Sequence, residues 1–254
     1  PGLHTILLHN VLYAGAQLHE PLTGRVFPVE VDPVAIDDLG AAGSWTQSFL
    51  SGEAFTDTLT ARGYGLVQPQ RLNNQSVGQD DPNDYRTASS TRTLTLQDCG
   101  LLTIATRSNQ DIDIDLYLLR DGGNGVIDAD ASGDDRLIAS SLGLDAAEEV
   151  EVEMPQNGTY FVLVHGYSVP SPPGVFSLTI RQLQGTNLTV SGLPGGPIPA
   201  DIWLSFDVDW SGITDPIVEG VVFVGPQSAP TLTRIPVHIV NRPKSSAEHW
   251  SLYR

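Results

Sequence analysis

Polar and apolar residues alternate with a period of two along much of this chain. The alternation is clearest in residues 112–118, 149–154 and 202–210, and it is the period of a β-strand with one buried face. No segment sustains the longer period of an amphipathic helix. Residues 142–150 come nearest, but Gly143 weakens that pattern. Because the strand-like segments are short and separated by glycine, proline and asparagine, the sequence predicts an all-β fold, as a β-sandwich or jelly roll.

The strand signals divide the chain into four parts. Residues 1–43 carry short apolar runs broken by prolines, and we expect N-terminal strands or the end of a preceding β domain. Residues 44–184 predict the main sandwich, residues 185–243 a second, smaller β domain, and residues 244–254 a tail. Residues 68–90 are polar and turn-rich, and they show no core-forming periodicity. Asn157-Gly158 predicts a hairpin turn.

The same pattern predicts the core. Apolar residues that recur on one face of each predicted strand are expected to be buried: Leu94, Ile104, Leu116, Leu118, Val152, Tyr160, Val162, Phe176, Leu178, Phe206 and Val208. Trp210 shares the inward face of its strand, whereas Trp203 faces the other way and is the better candidate for an exposed aromatic. Cys99, the only cysteine, is expected to be a buried and unreactive thiol.

The most unusual stretch is acidic and lies at the centre of the chain. Ile112, Ile114, Leu116 and Leu118 form the apolar face of a strand, and Asp113 and Asp115 fall on the opposite face. A glycine-rich acidic loop follows. Carboxylate and amide oxygens brought together by tight turns are ligands that calcium prefers. The candidate ligands are Asp111, Asp113, Asp115, Asp121, Asn124, Asp128 and Asp130.

A solvated acidic loop is the competing interpretation of this stretch. Aspartate, asparagine and glycine are also ordinary turn residues. Counted from Asp121, the third and fifth positions are Gly123 and Gly125, so the loop does not follow the EF-hand pattern. Asp113 and Asp115 also suggest a third, weaker hypothesis, the acid and base of a small glycosidase.

Net charge narrows the choice of partners. The chain has 254 residues and a formal net charge of −17, with no run of lysine and arginine to neutralise phosphates. This argues against a nucleic-acid partner. No apolar run is long enough for a membrane-spanning helix, and no signal peptide is recognisable. Since residue 1 is proline, we expect a processed piece of a larger protein or a fragment.

No nucleophile is marked by a motif. The sequence contains neither a G-x-S-x-G elbow nor an H-E-x-x-H zinc motif, and its six histidines are scattered. His165 follows a strand and is expected to pack or to cap a turn.

Several of these segments together resemble a known family. They are Asp113-Ile-Asp115-Leu-Tyr117-Leu, Leu137-Ile-Ala-Ser-Ser141, the valines that alternate after Glu148 and Glu149, Asn157-Gly-Thr-Tyr160-Phe-Val-Leu-Val164, and Phe176-Ser-Leu178. This series resembles the bacterial pre-peptidase C-terminal (PPC) domain. Residues 185–190, 208–211 and 219–225 resemble the immunoglobulin-like or fibronectin-like strands that end secreted subtilisin-like serine proteases.

The resemblance implies a non-catalytic accessory region of an extracellular subtilisin-like protease. Such a region supports folding, secretion, stability or substrate docking, and its partner is an upstream catalytic domain in the same chain. The catalytic signatures of subtilisins are absent from this sequence, so proteolysis is not expected of it. The alternative is a stand-alone extracellular module that binds glycan or protein through exposed aromatic residues and loops.

Overall fold

The structure is a computed structural model, and it describes residues 34–38, 42–51, 54, 57–128 and 133–241. In this part of the chain it is nearly all β, which confirms the predicted fold class. No helix found there has the length and apolar character that crossing a membrane requires. One short 3-10 turn, Tyr85–Thr87, interrupts the strands of the described residues. The strands are β1 (Val34–Asp38), β2 (Gly43–Ser51), β3 (Leu59–Val67), β4 (Gln70–Val77), β5 (Ser90–Leu96), β6 (Cys99–Arg107), β7 (Asp113–Arg120), β8 (Arg136–Ser141), β9 (Glu149–Glu153), β10 (Gly158–Ser168), β11 (Gly174–Gln184), β12 (Leu188–Ser191), β13 (Ile202–Trp210), β14 (Ile217–Pro226) and β15 (Thr233–Asn241).

Two antiparallel sheets form a first sandwich. One has the strand order β5-β10-β7-β8 and the other β4-β11-β6-β9. Their inner faces enclose one hydrophobic core, in which Ile104, Ile114, Leu116 and Leu118 are fully buried. Every second residue of β7 therefore points inward, as the period-two pattern predicts.

The predicted core is confirmed. All eleven residues are buried except Val152, which is partly buried and packs against the same core. Trp210 is buried and Trp203 is 73% exposed, as their positions on β13 indicate. Cys99 is buried, and burial raises the pKa of its thiol to about 11, so the thiol is protonated near neutral pH.

A second sandwich combines a sheet of order β1-β15-β14-β3 with a three-stranded sheet of order β12-β13-β2. Among the strands of the described ranges, only β1 runs parallel to its neighbour, β15. The core between the sheets includes Phe206, Val208, Trp210, Val222 and Ile239.

The strand pairing differs from the predicted division, since β1, β2 and β3 all join the second sandwich. The sequence assigns β2 and β3 to the main sandwich, residues 44–184, but β2 pairs with β13 and β3 pairs with β14. The second sandwich therefore takes strands from both sides of the first. Local periodicity shows that a segment is a strand, but not which distant strand it joins.

Residues 68–90, which show no core-forming periodicity, nevertheless contain a strand. Residues 70–77 form β4, and Val77 at its end is 1% exposed. β4 lies at the edge of its sheet, where most of its side chains remain in solvent. For this reason its sequence is polar and lacks the alternation of an inner strand.

The two sandwiches meet through a small apolar cluster. Tyr64 of β3 is 1% exposed and packs with Leu101, Leu183, Val221 and Phe223. A side chain at Gly100 would overlap the Tyr64 ring, so this close approach requires glycine.

Ion pairs flank this junction. Arg181 of β11 contacts Glu219 of β14 at 2.8 Å, and Arg234 of β15 contacts Glu151 and Glu153 of β9. Each pair joins a strand of one sandwich to a strand of the other.

Candidate functional site

The acidic stretch becomes β7 and the loop that follows it. Asp113 and Asp115 lie on the outer face of the strand, opposite the core-facing Ile114 and Leu116. Asp115 is nevertheless only 7% exposed. The outer face of this sheet is therefore covered at Asp115, although the sequence suggests a solvated carboxylate there.

Asp115 lies directly opposite His165 of β10. Its Oδ2 atom is 3.8 Å from His165 Nδ1, and it accepts a hydrogen bond of 3.2 Å from the Tyr117 hydroxyl. Burial raises the pKa of Asp115, and so do the nearby carboxylates of Asp113 and Glu148. The hydrogen bond from Tyr117 and the charge of His165 act in the opposite direction.

His165 is 1% exposed, and both sides of its ring are occupied by protein atoms. Its Nε2 atom lies 2.9 Å from the backbone carbonyl of Asp81. Because a carbonyl oxygen only accepts hydrogen bonds, Nε2 must carry the proton. The Asp115 carboxyl then lies beside Nδ1, which has no hydrogen-bond partner among the described residues. The pair consequently joins β7 and β10 to residue 81.

Residues 78–89, called here the covering loop, pack over the Asp115–His165 pair. Asp80 Oδ2 accepts hydrogen bonds from the backbone N–H groups of Gly166 and Ser89, at 2.7 and 3.1 Å. Gln79 donates to the carbonyls of Gly166 and Tyr167 and accepts from Val169 N–H at 2.7 Å. These bonds fix the loop to the irregular end of β10.

Aromatic contacts complete this cover. Tyr85 of the covering loop stacks on Tyr117, with 4.5 Å between ring centroids and 19° between planes. Leu119, Phe161 and Leu163 are buried beneath them on the outer face of the sheet. The loop is polar in sequence, so its role as a cover depends on these few aromatic and hydrogen-bonding contacts.

A second buried carboxylate, Glu148, lies close to Asp113. It is 1% exposed, and it accepts hydrogen bonds from the Ser141 hydroxyl and from Gly143 N–H, the latter at 2.7 Å. Burial raises the pKa of Asp113, and the charges of Glu148 and Asp145 raise it further. The Asp113 Oδ1 atom is buried and has no hydrogen-bond partner within the described ranges.

The acidic loop after β7 is held by its own backbone. Asp121 Oδ1 accepts hydrogen bonds from Gly123 and Gly125 N–H at 2.9 and 3.1 Å, and these bonds lower the pKa of Asp121. Asp128 and Asp135 each accept a hydrogen bond from the other's N–H, at 3.0 and 2.9 Å. Carboxylate oxygens that bond to backbone in this way stabilise the turn without an ion.

The seven predicted calcium ligands do not form one group. Asp113 and Asp121 lie at opposite ends of β7, about 26 Å apart at the usual rise of a strand. One ion cannot bind both. Asp111 is exposed, Asn124 donates to Asp128 at 2.9 Å, and Asp130 lies outside the described residues.

No three His, Cys, Asp or Glu side chains converge on a point where they could hold a metal ion, within the ranges that the structure describes. Calcium therefore stays a prediction, and it now concerns either the Asp113 end of β7 or the loop at its other end.

Sequence patterns do not predict the burial of Glu148 or the pairing of His165 with Asp115. Glu148 precedes the exposed Glu149 and reads as part of a solvated acidic strand, yet it is buried. The pairing of His165 with Asp115 depends on the register of β7 against β10. The two residues are fifty positions apart, and only the alternation of both strands hints that they share a face.

Comparisons with known proteins add no relative. No protein-family model matches this chain, and no curated protein matches its sequence.

Proposed function

We propose that this chain is a non-catalytic accessory region of a secreted subtilisin-like protease, and that it supports folding, secretion, stability or substrate docking of the catalytic domain. The observation that supports this most is how the Asp115–His165 pair is used. The carboxyl is held by Tyr117, the imidazole Nε2 by a backbone carbonyl, and the covering loop lies over both. Such a pair fastens elements together: Nε2 is bound to the Asp81 carbonyl, and Nδ1 is buried beside Asp115, so neither nitrogen is presented to a nucleophile at the surface.

The position of the two family-like motifs is a second support. The Asp-x-Asp-Leu-Tyr-Leu segment forms β7 and the Gly-Thr-Tyr-x-Val-x-Val segment forms β10, and these strands are neighbours in one sheet. Their shared outer face carries Asp115, Tyr117 and His165, so the motif residues serve the contact between the sheet and its cover.

The test is an activity assay on the purified chain. Casein as a substrate and a fluorophosphonate as a covalent label test for a serine peptidase. Nitrophenyl glycosides test for a glycosidase. We expect no turnover and no labelling. Turnover that is lost on Asp115→Asn or His165→Gln, with an unchanged melting temperature, would overturn the proposal and make the buried pair catalytic.

A binding module for glycans is the second candidate, and Trp203 favours it. Its side chain is 73% exposed on β13, and Ser205 and Asp207 follow on the same polar face. An exposed aromatic ring beside hydroxyl and carboxylate groups is suited to stacking on a sugar. Retention of the chain on insoluble cellulose or chitin, lost in Trp203→Ala, would favour this candidate over the first.

A further inference from the structure

The outermost strands β8 and β9 lie side by side at one edge of the first sandwich. β8 ends the order β5-β10-β7-β8, and β9 ends the order β4-β11-β6-β9. Each of them has one edge to which no strand is paired in the described part of the chain. Unpaired N–H and C=O groups along such an edge are a template for a further strand.

A groove of about 400 Å³ runs along these two strands. Its walls carry three exposed apolar side chains, Leu137 and Ile138 of β8 and Met154 after β9, which are 49%, 40% and 41% exposed. Single exposed apolar residues are ordinary, but three along one groove are typical of a binding surface.

Two arginines lie at one end of this groove. Arg120 and Arg136 are directly opposite each other on β7 and β8. Like charges directly opposite across a sheet destabilise it. Neither arginine forms an ion pair with a described residue. Arg120 bonds to Gln156 and to the carbonyl of Asn157, at 2.6 and 3.3 Å.

This pair is unusual in so acidic a chain, which has 13 basic and 30 acidic residues. Glu153, the carboxylate that also lines the groove, is within 3.6 Å of Arg234. Within the described part of the chain the Arg120–Arg136 pair has no carboxylate partner, and a carboxylate that bridges the two guanidinium groups would relieve their repulsion.

We propose that the groove binds an extended peptide segment of a partner protein, one that combines apolar side chains with a carboxylate. The peptide would add to the free edge of β8, as in other cases where a strand extends a sheet. Its apolar side chains would contact Leu137, Ile138 and Met154, and its carboxylate would lie between Arg120 and Arg136. Pairing between two copies is disfavoured because each carries a net charge of −17. This inference is independent of the proposed function, since either candidate function can use the groove.

The test is fluorescence anisotropy with the full chain and two labelled peptides. One is an alternating valine–threonine heptapeptide that ends in glutamate with a free C-terminus, and the other ends in glutamine amide. We expect saturable binding of the first and about fivefold weaker binding of the second. Arg136→Gln should reduce the difference between the two peptides to nothing. Arg71→Gln, which changes an exposed arginine on β4, is the matched control and should leave both affinities unchanged.

The apolar part of the groove is tested with Ile138→Asn, and Ile217→Asn on β14 is its matched control because that residue is also exposed. Only Ile138→Asn should weaken the binding of both peptides, and both variants should keep the melting temperature of the parent chain. Amide NMR shifts on peptide addition should concentrate in β8 and β9. The proposal is overturned by absence of saturation at about 1 mM peptide, by equal affinities for both peptides, or by shifts elsewhere. Self-association in sedimentation equilibrium that Ile138→Asn abolishes would also overturn it, by assigning the edge to a second copy.

Discussion

Removing the Glu148 side chain should destabilise the first sandwich strongly, although the sequence places this residue in a solvated acidic run. Its carboxylate is buried and accepts hydrogen bonds from Ser141 and from Gly143 N–H. In Glu148→Ala the Ser141 hydroxyl and the Gly143 N–H lose the carboxylate that accepts their hydrogen bonds.

The size of the loss follows from these two bonds. Hydrogen bonds to a charged group contribute about 1.5–3 kcal/mol each, so the pair contributes about 3–6 kcal/mol. Removal of the negative charge of Glu148 also removes its electrostatic repulsion of the Asp113 carboxylate, a repulsion that raises the pKa of Asp113. This relief offsets part of the loss, and we expect a net reduction of about 2–4 kcal/mol in the free energy of unfolding.

Urea unfolding at pH 7 measures this value, and a double-mutant cycle tests its cause. A side chain at Gly143 would overlap Glu148 Oε1, so Gly143→Ala should cost about 1–3 kcal/mol in the parent chain. In the Glu148→Ala background that cost should nearly vanish. The exposed neighbour Glu149 is the control, and Glu149→Ala should change stability by no more than about 0.5 kcal/mol. Equal costs of Gly143→Ala in both backgrounds, or a Glu148→Ala loss as small as the control, would refute this reasoning.

Three further predictions concern pH, calcium and the junction. Because burial raises the pKa of Asp113 above its usual 3.8, ionisation of this carboxyl destabilises the fold as pH rises through the raised value. Asp113→Asn should therefore raise the melting temperature at pH 7 and leave it unchanged below about pH 3.8. The exposed control Asp111→Asn should leave the melting temperature unchanged at both pH values. If calcium binds, millimolar calcium should raise the melting temperature above that in EGTA. Loss of this rise in Asp113→Asn or in Asp121→Asn would show which end of β7 holds the ion. An unchanged melting temperature in the parent chain contradicts the calcium prediction. Tyr64→Ala should lower the free energy of unfolding in urea by about 3–5 kcal/mol, whereas Trp203→Ala should leave it almost unchanged. Equal losses in the two variants would contradict the packing at the junction.

Side-chain alternation predicts the strands and the core faces well, because the spacing of apolar residues along a strand is a local property of the sequence. Leu116, Val162 and Phe206 lie on such apolar faces and are buried. An edge strand is the exception: β4 buries little beyond Val77, so it leaves no such pattern.

Strand partners are not encoded locally, and the errors show it. Asn157 directly precedes β10 and Gly158 begins it, and the strands before and after this dipeptide do not form the predicted hairpin. β9 pairs with β6, and β10 pairs with β5 and β7, so the chain crosses between sheets at this point. A tight turn sets the direction of the chain, whereas the sheet that receives the next strand depends on contacts far along the sequence.

The candidate site shows the same limit. The carboxylates on the outer face of β7 are predictable from alternation, but their burial is not, because the covering loop comes from residues 78–89. Asp80, Asp81 and Gln79 read as ordinary turn residues. Their bonds to Gly166 and His165 appear only when β10 is in place.

Mass spectrometry of the intact parent protein, purified from the culture medium of its source through a peptide of this sequence, tests the central claim most directly. We expect one secreted polypeptide in which a subtilisin-like catalytic domain precedes Pro1. A parent protein that is found only inside the cell, or that carries no catalytic domain, would contradict the claim.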